Sequence, residues 1–81
     1  MPKVFIKDGF KFFFYSNEGN PREPQRVHIK KGDNNAKYWI MPNVNLAENY
    51  GFSSKELSWI EDEVYANIKL IEDTWNDFFN R

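Results

Sequence analysis

Apolar residues change their spacing partway along this chain, from every second residue to every third or fourth. From Leu57 onward they fall at Leu57, Ile60, Val64, Ile68, Ile71, Trp75 and Phe78, which lines one face of a helix. Before Pro42 they alternate with polar residues, the two-residue period of strands that bury one face. With 81 residues the chain has room for one such sheet and one such helix around a single core.

The helix start is well marked. Ser53 is a suitable N-cap, and Glu56 three residues on completes a capping box. Phe52 and Leu57 stand at the positions of a hydrophobic staple. No Gly or Pro follows Ser53, so the pattern predicts one unbroken helix over residues 53–80. Such a rod is about 40 Å long. On this reading its last turn, with Trp75, Phe78 and Phe79, overhangs the sheet and meets a partner.

The first half reads as four strands. Lys3–Lys7 and Phe10–Ser16 flank Asp8-Gly9, a strong hairpin signal. Asn17 to Gln25, with Gly19, Pro21 and Pro24, is a loop. Arg26–Lys30 and Ala36–Met41 follow, separated by the turn-forming Gly32-Asp-Asn-Asn35 and ended by Pro42. Residues 42–52 form a connector with two readings. Asn45 with Glu48 caps a single helical turn closed by Gly51, or the segment is a short extended run. The predicted fold is α+β: a single domain over residues 1–81, with a four-stranded antiparallel meander (3–41) and one long C-terminal helix packed on one face.

Alternation sorts the strands into two faces. Val4, Ile6, Phe10, Phe12, Phe14, Val27, Ile29, Ala36, Tyr38 and Ile40 make an almost wholly apolar face for the helix. Lys3, Phe5, Lys7, Lys11, Phe13, Tyr15, Arg26, His28, Lys30, Lys37 and Trp39 fall on the other. The chain has eight Phe, four Tyr and three Trp, more rings than one small core needs. The surplus falls on this second face among the cations. Rings interleaved with Lys and Arg on an open sheet stack bases and neutralise phosphates, which makes the face a candidate platform for single-stranded RNA or DNA. The same pattern also fits cross-strand aromatic pairs with snorkelling lysines, or a homodimer face. Net charge is −1, but residues 1–41 carry eight Lys/Arg against four Asp/Glu, while residues 42–81 carry three against eight. That asymmetry suits an electrostatic partner, or mutual attraction of the halves within one fold.

His28 is the only histidine, flanked at spacing two by Arg26 and Lys30. It is a candidate general acid or base on a phosphodiester, with Arg26, Lys30 or Lys37 stabilising charge and the loop residues Glu18 and Glu23 as partners. Against catalysis, no base–nucleophile pair is evident. The chain has no Cys, which excludes disulfides, thiolate catalysis and cysteine zinc sites; neither a metal nor a cofactor is expected. No apolar run approaches a membrane span, and Lys7 and Asp8 come too early for a signal peptide. The expected location is cytoplasmic, away from any membrane.

Several short strings, in order, resemble a family of small bacterial proteins called domain of unknown function four-one-six-zero. They are Asp8-Gly9, Phe14-Tyr-Ser-Asn-Glu18, Pro24 to Ile29, Ala36-Lys-Tyr-Trp39, and Leu46 to Ser53 with Glu56-Leu57. The resemblance runs from about residue 2 to residue 79. It implies a short stand-alone protein without an assigned activity, encoded beside a second small protein in an arrangement of toxin–antitoxin type. The family pattern Pro-Pro-His-Val-His-Val reads here Pro24-Gln-Arg-Val-His-Ile29, so Arg26 replaces the first histidine and His28 keeps the second. Chemistry that needs a histidine pair is lost, whereas a cationic phosphate-binding role survives. Three functions follow from these features. The first is an interaction module that binds a cognate small protein, nucleic acid, or both. The second is a ribonuclease-like enzyme using His28. The third is a ligand-free homodimer.

Overall fold

The computed structural model describes residues 3–15 and 24–79. The end of the predicted second strand at Ser16, most of the predicted loop, Glu18, Glu23 and the last helical residue lie outside the described residues.

Among the described residues five strands, not four, form one antiparallel sheet in chain order: β1 (Lys3–Lys7), β2 (Phe10–Phe13), β3 (Arg26–Lys31), β4 (Asn34–Trp39) and β5 (Asn45–Tyr50). The first hairpin turns at Asp8-Gly9, both with positive φ (52° and 82°), the conformation for which the Asp-Gly pair is suited. The added strand β5 corrects the four-strand expectation and resolves residues 42–52 in favour of the extended alternative. Asn, Ala and Glu are poor strand formers. Pairing with β4 overrides that preference, because β5 takes up the backbone groups along the far edge of β4. Gly51 ends the strand at φ 101°, and a Cβ there would collide with the side-chain amide of Asn34.

The single long helix is also corrected. The described residues form two helices, α1 (Ser54–Ala66) and α2 (Ile68–Phe79). Asn67 separates them. Its side-chain amide donates to the Glu63 carbonyl at 2.9 Å, and its backbone N–H donates to the same carbonyl at 3.1 Å. Asparagine competes in this way with the regular backbone ladder, and Asn67 leaves the helical region at φ −115°, ψ 20°. The apolar stripe crosses the break, with Ile60 and Val64 buried in α1 and Ile71 and Trp75 in α2. The capping box is formed: Glu56 N–H donates to Ser53 Oγ at 3.1 Å, and Ser53 N–H donates to Glu56 Oε1 at 2.9 Å.

The core lies between the helices and one sheet face, where Phe12, Val27, Ile29, Tyr38, Ile60, Val64 and Ile71 are fully buried. The last turn of α2 does not overhang. Trp75, Phe78 and Phe79 close on Phe14 at ring-centroid distances of 5.1, 6.1 and 5.4 Å. No described helix is long and apolar enough to cross a membrane.

Candidate nucleic-acid interface

The helices leave the opposite sheet face uncovered, and strand pairing arranges it in rows. One row runs Ile6, Lys11, Lys30, Asn35, Tyr50. The next runs Lys3, Phe13, His28, Lys37, Glu48, and a third joins Arg26, Trp39 and Asn45. Of the predicted set, Lys3, Lys11, Phe13, Arg26, His28, Lys30, Lys37 and Trp39 thus share this face. Tyr15, just past β2, joins them through its edge-on packing against His28 at 4.7 Å.

Phe5 and Lys7 do not. A bulge between Lys3 and Phe5 inserts one residue into β1 and inverts the alternation beyond it. Phe5 stacks on Phe12 of the core at 4.3 Å, and Lys7 pairs with Glu63 of α1 at 3.1 Å. Ile6, expected inside, takes the open face at 53% exposure. The exchange buries a large ring at the cost of an isoleucine and gives Lys7 a carboxylate partner.

Phe13 faces the predicted way but is only 3% exposed. Its ring stacks on His28 at 5.6 Å and meets Tyr15 edge-on at 5.2 Å, so it supports the surface rather than offering itself to a base. Arg26 is also covered. Its guanidinium lies 5.2 Å from the Trp39 ring and 6.0 Å from that of Trp75, and it donates to the Pro24 carbonyl at 3.4 Å. Lys37 approaches the half-buried Trp39 from its own strand, its ammonium 4.8 Å from the ring centre. The rings with surface open to a stacking base are Tyr15 and Tyr50, at 42% and 60% exposure, and part of Trp39.

Sequence reasoning misses the one carboxylate on the strands of this face, because there Glu48 figures only as a capping partner of Asn45. With residues 45–50 extended, Glu48 becomes the neighbour of Lys37. The two form an ion pair at 3.0 Å, and the Tyr50 hydroxyl donates to Glu48 at 3.2 Å. The hydrogen bond and charge of Lys37, the Tyr50 hydroxyl and the field of His28 together hold the Glu48 carboxyl below its ordinary range. A signal for the strand does exist: Asn45 to Tyr50 has no helical apolar spacing, and β4 otherwise lacks a neighbour on one side.

Strand residues of the face carry Lys3, Lys11, Arg26, Lys30 and Lys37 against Glu48 alone. Among the described residues, no group of three or more His, Asp or Glu is placed to hold a metal ion. A concavity of about 320 Å³ opens on the helix side, beside the first hairpin and the start of α1. It is lined by Asp8, Phe10, Lys31, Lys55, Glu56 and Trp59, and its two lysines are matched by two carboxylates.

No curated protein and no solved structure matches this chain. Residues 9–76 match the family described as Domain of unknown function (DUF4160), a span that takes in β2 to β5 and α1 whole and most of α2. The chain belongs to the DUF4160 family.

Proposed function

We propose that this protein is a small interaction module that binds single-stranded RNA on its open sheet face, as one component of a toxin–antitoxin-type pair acting in the cytoplasm. The observation that carries the reading is the collection of four exposed or half-buried lysines, Lys3, Lys11, Lys30 and Lys37, against one carboxylate on the strands of the single face that the helices leave bare. Lys11 and Lys30 are register partners on adjacent strands, so their charges add locally at a spacing suited to a phosphate backbone. Tyr15 and Tyr50 supply exposed rings, each base stack contributing about 1–3 kcal/mol. Binding of a labelled single-stranded RNA, followed by anisotropy over a salt series, tests it. Affinity falls linearly on a log–log plot, with a slope of about −0.7 per phosphate engaged. Absence of binding at low salt refutes the reading.

A second reading, a cognate small protein as partner, is favoured by β5. Among the described residues no strand lies beyond it, and Leu46 and Tyr50 on it are exposed. An exposed edge of this kind accepts a partner strand. Light scattering of the protein alone and with the product of its adjacent gene separates a heterodimer from a homodimer and from a monomer.

A further inference from the structure

Three groups of complementary chemistry stand in line across β3, β4 and β5. His28 pairs in register with Lys37, and Lys37 with Glu48. The backbones of His28 and Glu48 are therefore about 10 Å apart, with the lysine between them. The Lys37 ammonium is 3.0 Å from Glu48, and Tyr50 holds the other carboxylate oxygen at 3.2 Å. Phe13 and Tyr15 pack against the His28 imidazole and orient it. Each group is thus supported by a neighbour, as a reacting constellation requires.

We propose that Glu48 and His28 act as an acid–base pair that cleaves RNA on this face by internal transesterification, with Lys37 between them stabilising the developing charge. This rests on the reading that RNA occupies the face. The bound phosphate draws the Lys37 ammonium from Glu48, the carboxylate so released takes the proton of a 2′-hydroxyl, and O2′ forms a bond to the adjacent phosphorus. The P–O5′ bond breaks with its electron pair leaving on O5′, and the His28 imidazolium gives that oxygen a proton. The products are a 2′,3′-cyclic phosphate and a free 5′-hydroxyl, and a proton returns from Glu48 to His28 through solvent. No oxidant, reductant or added nucleophile enters. The two groups flank the strand that carries Lys37, and a phosphodiester laid across it would bring its attacking oxygen to Glu48 and its leaving oxygen to His28, with Lys37 beside the phosphate. Glu48 is absent from the sequence-derived candidates, which offered His28 the loop residues Glu18 and Glu23 as partners instead.

The test uses the full chain with a labelled single-stranded RNA, the same sequence fully 2′-O-methylated, and its DNA counterpart. Cleavage of the RNA alone, with 2′,3′-cyclic phosphate ends by mass spectrometry, is expected. Glu48→Gln and His28→Gln, purified in parallel and checked for folding by circular dichroism, each lower the rate about 100-fold or more. Glu48→Gln, which removes the carboxylate from the cationic face, binds the 2′-O-methyl strand at least as tightly as the parent, so its lost cleavage is not lost binding. Binding of that strand by the parent without cleavage of RNA overturns the acid–base pair and leaves the RNA-binding reading standing. Cleavage unchanged in either variant overturns the pair as well. Failure to bind any strand overturns both readings.

Discussion

Tyr38 ties the two layers of the molecule together at a single hydroxyl. Its ring is fully buried in the core, and its hydroxyl donates to the Leu57 carbonyl in the first turns of α1 at 3.3 Å. Burial, with a smaller effect of Glu61, pushes the phenol up to about 12. The folded form therefore holds this proton more tightly than the unfolded chain, whose tyrosine ionises near its ordinary 10.0. Stability from this group is fully present below pH 10 and is lost as pH rises towards 12, at about 1.4 kcal/mol per pH unit. Tyr38→Phe costs about 1 kcal/mol at neutral pH. Chemical denaturation at pH 7, 10 and 11 should show the variant losing less stability across that range than the parent. An identical alkaline loss in both contradicts the assignment.

At the scale of elements, signals that several residues share shape the fold as they predict, and weak single-residue preferences give way. The capping box, the Asp8-Gly9 hairpin and the apolar stripe are legible because each is a local rule with several residues agreeing. Ser53→Ala removes the cap and is expected to cost about 1 kcal/mol, read as a lower denaturation midpoint at unchanged slope. The break at Asn67 is not legible, because one asparagine within a continuous stripe carries little weight until its amide is seen on Glu63. Strand β5 escapes for the opposite reason: its residues have no strong preference, and only the free side of β4 makes them a strand. The bulge in β1 falls in the same class. Strict alternation places Phe5 outside and Ile6 inside, and only the packing of Phe5 on Phe12 reveals the inversion. Phe5→Ala should then cost about 2 kcal/mol or more, whereas Ile6→Thr stays within about 0.5 kcal/mol. Thermal melts of the two variants distinguish these outcomes, and the reverse ranking refutes the inverted register.

For the whole molecule, the aromatic excess resolves into two structural roles. Phe10, Phe12 and Tyr38, with Phe14 against Trp75, Phe78 and Phe79, hold the helices on the sheet. Phe13, Tyr15 and Trp39 build the opposite face around His28 and Arg26, so much of the surplus is scaffolding for a charged surface. Of the residues that alternation assigns to that face, Phe5 and Lys7 are displaced by one bulge, and the rest meet there. The one added group, Glu48, arrives with the strand that propensity does not reveal. This division supplies an internal control, because Lys7 is a cation of the same sheet that faces the helices instead. The most direct measurement compares the salt dependence of single-stranded RNA binding in the parent, in a Lys11→Ala/Lys30→Ala double variant and in Lys7→Ala. RNA on the open face predicts that the double variant binds more weakly with a shallower salt slope, by roughly 0.7 for each phosphate no longer neutralised, and that Lys7→Ala matches the parent. Equal weakening by Lys7→Ala, or an unchanged slope in the double variant, contradicts it.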